Sequence, residues 1–396
     1  MCATQITSWG VLYYAFPVLV PAVTADTGWT PAATTGAFSA ALLVSAVAGV
    51  PIGRVLDARG PRAVMTGGSV LAVAGLLVLA YAPGLAGFTA GWLLVGVAMA
   101  ATFYQPAFAA LTRWWGEERV RALTVVTLAG GLASTVFAPV TAALAEHLSW
   151  RATYAVLAAI LAAVTVPAHA LALRGPWPPA PAEPVRAADD APGAVTRSRP
   201  FLLLAAAFTL SGFAMYCVVI ALVPLLMGRG VSTTAAAWAL GLGGVGQTLG
   251  RMLYGAVARR TGARARTVAF LAAGGVTTGA LAVVPGPYPL LVALAVVAGT
   301  VRGNLTLLKA TAVADRWGTT RYAHRSALLA APVTVATALA PFAGTALAGV
   351  LGGYERLFVL LAAVSALAAA LALGTGTRGT VPRPHGRRLS PKGQSV

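Results

Sequence analysis

Residues 53–62 read Gly53-Arg54-Val55-Leu56-Asp57-Ala58-Arg59-Gly60-Pro61-Arg62, and residues 255–264 read Gly255-Ala256-Val257-Ala258-Arg259-Arg260-Thr261-Gly262-Ala263-Arg264. The second stretch is a degenerate copy of the first: Gly53, Gly60 and Arg62 recur as Gly255, Gly262 and Arg264, at an offset of 202. The same offset carries Trp115-Gly116 onto Trp317-Gly318 and Pro139 onto Pro341. It also carries Gly10 and Tyr14 onto Gly212 and Tyr216. One offset shared by four separate regions marks an internal duplication. Both stretches are basic islands between long apolar runs.

Those runs decide the class. The 396 residues are 58% hydrophobic and only 10% charged, with a mean hydropathy of +0.80. Soluble domains carry roughly 25% charged residues, so a water-soluble enzyme or binding domain is excluded. A net charge of +18 would point to nucleic acid in a soluble chain. Here the basic residues sit between apolar runs, and no nucleic-acid partner is expected. Two cysteines, Cys2 and Cys217, make neither a disulfide framework nor a metal site, so no metal and no cofactor are expected. The first apolar segment lacks a basic leader region and a cleavage site and reads as a span. It begins within a few residues of Met1, which leaves open a true start upstream. The 26 arginines against two lysines, with abundant Ala, Gly and Pro, resemble the coding bias of a GC-rich bacterium.

A spanning helix needs roughly 20 mostly apolar residues, and strict alternation is absent. Twelve spans are predicted, near 4–25, 31–53, 63–82, 87–111, 121–146, 151–173, 201–226, 234–258, 266–285, 288–312, 323–350 and 355–374. With the N-terminus inside, 22 basic residues fall on inside connections and three (Arg151, Arg229 and Arg356) outside. That split predicts an inner, plasma-membrane protein with both termini cytoplasmic. Residues 174–200, rich in Pro and mixed charge, read as a cytoplasmic linker. They divide an N-terminal six-helix bundle (1–173) from a C-terminal one (201–374), followed by a basic, disordered cytoplasmic tail (375–396). The fold class is therefore an all-α membrane protein: twelve transmembrane helices in two pseudo-symmetric six-helix bundles, likewise expected to be a monomer. Parallel six-plus-six repeats place a substrate site at the midplane between halves.

The 53–62 stretch resembles the loop 2–3 signature of the major facilitator superfamily, and 255–264 its loop 8–9 counterpart. The resemblance covers essentially the whole chain. Within the superfamily, the run Ser8 to Tyr14, Gly60-Pro61-Arg62 and Tyr104-Gln105-Pro106-Ala107-Phe108 look like the bacterial monocarboxylate-porter-like branch. The resemblance implies a central cavity lined by spans 1, 4, 7 and 10. It also implies a charge network of Asp57 with Arg54, Arg59 and Arg62 that breaks and reforms as the halves rock. Drug–proton antiporters of the superfamily carry an Arg in span 4 before a Gly pair and a Gly-Pro in span 5. Here Trp92 precedes Gly96, and Ala138-Pro139 follows Ser134.

All ten carboxylates fall in loops or at helix ends, whereas Arg251, Arg302 and Lys309 lie inside predicted spans. A cation at the bilayer centre costs at least roughly 2.5–3.5 kcal/mol, which makes an intramembrane one a candidate for function. Arg302 is the sharpest: near mid-span, with no acid at its depth, its planar fork suits a carboxylate. The alternative is a guanidinium bonded to helix carbonyls or waters. Lys309, two turns along the same face, reads as a second relay or as an amine snorkelling towards Asp315. Tyr13, Tyr14, Tyr104, Gln105, Tyr216, Gln247, Asn304 and Thr306 complete the candidate substrate-binding set, a few polar groups on apolar walls. The candidate conformational set is Gly53, Arg54, Asp57, Arg59, Gly60, Arg62, Pro139, Arg251 and Pro341. The Gly-rich 241–250 stretch reads as close helix packing.

The expected function is secondary active transport of a small organic anion, foremost a monocarboxylate, by alternating access. Protons are the candidate coupling ion, carried by the cargo itself or by Lys309. The alternative is an efflux permease for a hydrophobic metabolite or drug. An enzyme is not expected: His147, His169, His324 and His385 lie beside no mid-span acid or nucleophile.

Overall fold

The computed structural model describes residues 1–177, 195–318 and 322–376. The core of the expected linker with Arg186, Arg321, and the tail from 377 lie outside the described residues. Twelve long helices run in chain order: α1 Cys2–Thr27, α2 Pro31–Arg59, α3 Pro61–Tyr81, α4 Leu85–Trp115, α5 Arg121–His147 and α6 Trp150–Ala172. The second half repeats them as α7 Arg199–Gly228, α8 Thr233–Arg260, α9 Ala263–Val283, α10 Tyr288–Thr311, α11 Tyr322–Leu351 and α12 Tyr354–Leu373. Eleven of these are long and apolar enough to cross a membrane. The twelfth, α8, has 28 residues but carries six glycines and three arginines.

Helix contacts obey the duplication. In the first half α2 packs on α4, α3 on α6, and α1 on α5 and α6; in the second, α8 packs on α10, α9 on α12, and α7 on α11 and α12. The halves meet through α5 with α8 and through α11 with α2, the same pairing shifted by six helices. Its details also repeat. A Cβ on Gly241 would lie 3.3 Å from Pro139, and the Phe342 amide next to Pro341 donates to Ser39 Oγ at 3.0 Å. Gly241 and Ser39, like Pro341 and Pro139, stand 202 residues apart.

Local chemistry sets the breaks. Gly60 adopts φ +78°, which lets α2 stop and α3 begin at Pro61, whose missing N–H costs nothing at a first helical position. In α4 the helix breaks at Phe103. Pro106 cannot donate to the Thr102 carbonyl four residues back, and Gln5 Nε2 takes that carbonyl at 2.7 Å. In α1, residues Gly10–Tyr14 form a π-helical segment, a departure that hydropathy does not encode. The wider turn is a feature that recurs at functional sites.

The two ends of the molecule differ. Call the end carrying Arg54–Arg62 and Arg259–Arg266 the basic end. Away from it, one continuous core runs through both halves, from Phe16, Phe38 and Trp92 to Val223, Leu226 and Leu240. Towards the basic end the core splits in two, one cluster around Phe208, Leu305 and Leu329 and another around Met65, Ala107 and Leu173. The halves are thus fastened at one end and parted at the other.

Glycines bring α8 and α10 into backbone contact. A Cβ on Gly246 would strike the Val296 carbonyl, on Gly250 that of Thr300, on Gly299 that of Gly243, and on Gly303 that of Gln247. Small residues permit such approach and side chains forbid it. Gly246→Ala is therefore expected to cost about 1–3 kcal/mol through overpacking, read as a lower unfolding midpoint of the purified protein. Gly53→Ala, with nothing within 4 Å, should leave that midpoint unchanged or slightly raised.

Candidate functional site

A cavity of about 150 Å³ lies between the halves, lined by Trp9, Tyr13, Tyr14, Tyr104, Gly130, Met215, Tyr216, Val219, Gln247, Arg251, Arg302 and Thr306. Eight of the polar residues singled out from sequence meet here, from α1, α4, α7, α8 and α10. The π-helical turn explains how consecutive Tyr13 and Tyr14 both reach it. Tyr14 and its repeat partner Tyr216 face it from opposite halves. A second cavity of about 300 Å³ adjoins it towards the basic end, sharing Trp9, Tyr13, Tyr104 and Tyr216 and adding Leu42, Ser45, Met99, Phe103, Gln105, Thr334 and Thr337.

The first cavity collects polar atoms that the protein itself does not satisfy. Arg302 Nε and Nη2, Arg251 Nε, Gln247 Oε1, Tyr13 Oη and Trp9 Nε1 are buried without a hydrogen-bond partner. Buried polar groups are satisfied in nearly all cases, so such a concentration calls for an explanation. Among the described residues Arg302 makes no ion pair: carboxylates there pair as Asp57 with Arg113, Glu355 with Arg229 and Asp315 with Arg266, all near helix ends. The alternative of a guanidinium bonded to helix carbonyls does not hold for Nε and Nη2.

Arg251 is held differently. Its Nη1 donates to the Thr127 carbonyl of α5, across the interface between halves. Thr248 Oγ1 reaches the Leu128 carbonyl at 3.4 Å, and Thr135 Oγ1 the Gly241 carbonyl at 2.8 Å. Arg251 thus belongs both to the cavity wall and to the seam along which the halves meet.

Three expectations need correction. Asn304 lies off the cavity: two positions from Arg302 on a helix is about half a turn, and its amide donates to the Thr300 carbonyl at 2.9 Å beside α8. Lys309 does not snorkel to Asp315, which Arg266 occupies. Helical side chains tilt towards the N-terminus of their helix, and Lys309 Nζ reaches α7, 3.4 Å from where a Cβ on Gly212 would sit. Asp57 pairs with Arg113 of α4 rather than with Arg54, Arg59 or Arg62; those three are exposed, and Arg62 Nε donates to the Ala170 carbonyl at 2.9 Å.

The Asp57 pair is also clasped from the chain that leaves α6. The Trp177 indole donates to the Asp57 carbonyl at 3.0 Å, and the Arg113 guanidinium lies 4.4 Å over its ring. The counterpart in the second half is Arg266 with Asp315, beside Arg316, which donates to Thr267 Oγ1 at 2.7 Å. Burial pushes the Arg316 guanidinium down to about 10. Position 315 is 113 shifted by 202 and carries the opposite charge, while the partners Asp57 and Arg266 do not correspond under that shift. Among residues the sequence reading passed over, Trp9 lies one helical turn before Tyr13, a spacing that places both on one face. Phe103, Ser45 and Thr337 carried no such signal.

Comparison with known proteins agrees with this architecture. The Major Facilitator Superfamily profile matches residues 1–303 and 204–394. Monocarboxylate transporter 11 of Homo sapiens is 30% identical over 233 residues, covering 58% of this chain and 47% of that protein. Monocarboxylate transporter 13 of Bos taurus is 31% identical over 218 residues, covering 52% and 48%. The uncharacterized MFS-type transporter YcxA of Bacillus subtilis (strain 168) is 29% identical over 185 residues, covering 46% and 45%. In each case the matched region spans about half the length of the relative. Among solved structures, a bacterial homologue of the human lysosomal transporter Spinster, inward-facing and occupied, superposes with a TM-score of 0.74 at 15% identity over 94% of both chains. The nucleoside transporter NupG superposes with a TM-score of 0.70 at 13% identity, over 95% of this chain and 99% of that one. The repeat, the twelve helices and the profile match agree: the chain belongs to the major facilitator superfamily.

Proposed function

We propose that the chain carries a small organic anion, foremost a monocarboxylate, across the membrane by alternating exposure of the central cavity. The observation that carries this reading is Arg302: a guanidinium at a midplane cavity, with Nε and Nη2 unpartnered and no carboxylate on the wall. A planar fork with free donors is the group best suited to a carboxylate. Arg251 on the same wall supplies a second positive charge. The similarity to proteins named monocarboxylate transporters supports the same cargo class.

The arginine distribution supports an orientation with the basic end and both termini on the cytoplasmic side, and the membrane of this proposal is the plasma membrane. The halves then stand open inward. Arg251, through Thr127, is a point where carbonyl contacts between halves would give way on rocking, and the Asp57–Arg113–Trp177 clasp is a cytoplasmic lock within the first half. Protons are the coupling ion of this proposal. With no carboxylate on the cavity, the proton rides on the cargo or on Lys309. The transporter works as a monomer.

Arg302→Ala is expected to weaken carboxylate binding by about 2–5 kcal/mol and to abolish uptake into proteoliposomes. Its unfolding midpoint should not fall, because removing an unpaired buried charge relieves a desolvation cost. Arg302→Lys keeps the charge, loses the bidentate fork and should fall between. Undiminished uptake by Arg302→Ala would remove the mechanism. Asp57→Asn should slow turnover without changing the dissociation constant of a carboxylate, measured by titration calorimetry beside counterflow rates; equal losses in both would assign Asp57 to the cargo site instead.

A further inference from the structure

Resting on that reading, we infer that the preferred cargo is a carboxylate with an aromatic, ring-sized body, its carboxylate at Arg302 and its ring among Trp9, Tyr13, Phe103 and Tyr104. The two cavities adjoin, with Trp9, Tyr13, Tyr104 and Tyr216 in the walls of both, and in this proposal one cargo occupies them as two lobes of a single site. One lobe holds the arginines. The other is walled by the aromatic rings of α1 and α4 with Leu42 and Met99.

Size argues first. The arginine lobe measures about 150 Å³ and the other about 300 Å³, whereas roughly 150 Å³ of cavity is enough for a benzene molecule. An acid of two or three carbons leaves the larger lobe without apolar contacts, and a snug fit is what such sites use for affinity.

The walls argue second. Trp9 stacks on Phe103 with ring centroids 4.0 Å apart, and Tyr104 and Tyr13 lie 5.2 and 5.7 Å from Trp9 in tilted geometry. Tyr216 meets Tyr13 edge-on at 6.1 Å. These rings form a run of faces and edges of alternating sign, which another aromatic ring complements and a saturated ring does not. Trp9 Nε1 and Tyr13 Oη are buried donors without acceptors. A π face accepts such donors weakly, while a saturated body leaves them unpaired. A rigid ring also loses less conformational freedom on binding than an alkyl chain.

The test is a set of dissociation constants measured by titration calorimetry on the purified full chain. The probes are acetate, cyclohexylacetate, phenylacetate and phenylacetamide. Phenylacetate is expected to bind at least tenfold tighter than acetate and about threefold or more tighter than cyclohexylacetate, although the saturated acid is the more hydrophobic. Trp9→Leu, and independently Phe103→Leu should the first variant fail to fold, are expected to erase the preference of phenyl over cyclohexyl. Cyclohexylacetate binding as tightly as phenylacetate, acetate doing so, or the preference surviving in both variants would overturn this inference and leave the anion reading standing. Phenylacetamide binding as tightly as phenylacetate would remove the anion reading, and the aryl acid with it.

Discussion

A guanidinium in the middle of a membrane protein must be compensated, and Arg302 has two nitrogen donors for which the described residues supply no partner. The cost of a central cation, at least roughly 2.5–3.5 kcal/mol, is tolerable only where water, dipoles or a bound anion reach it. The architecture follows from that need. Arg302 cannot face lipid, so it faces the space between two bundles. That space lies between two main seams, α5 with α8 and α2 with α11, with a smaller contact of α1 with α7.

The duplication has been used asymmetrically. Every intramembrane cation, Arg251, Arg302 and Lys309, belongs to the second half, and its counterparts in the first are Gly49, Ala100 and Ala107. The first half answers with aromatic rings, concentrated by two irregularities: a π-helical turn in α1 and a proline-induced break in α4. One copy supplies charge and the other shape. The seams, by contrast, stay symmetric: Pro139 with Gly241 on one side and Phe342 with Ser39 on the other.

Much of this was legible before any coordinates. The spans and the six-plus-six division follow from hydropathy, arginine placement and the repeat, because a bilayer forces backbone into helices of a set length. Tyr13, Tyr14, Tyr104, Tyr216, Gln247, Arg251 and Thr306 were all candidates and all line the central cavity. Asn304 is two residues from Arg302 yet off the cavity wall, because position along the chain does not say which face of α10 a residue occupies. Of the two readings of Lys309, snorkelling towards Asp315 fails because Arg266, 49 positions away, already holds that carboxylate.

Amino-acid order alone dictated the medium, the helix count and the duplication, since each depends on composition counted along one chain. Which side chains share a wall, that Asp57 is gripped by Arg113 and Trp177, and that the bundles part at their basic end depended on the packed molecule. Those are relations between distant segments, settled by how glycines, prolines and rings let twelve helices approach one another.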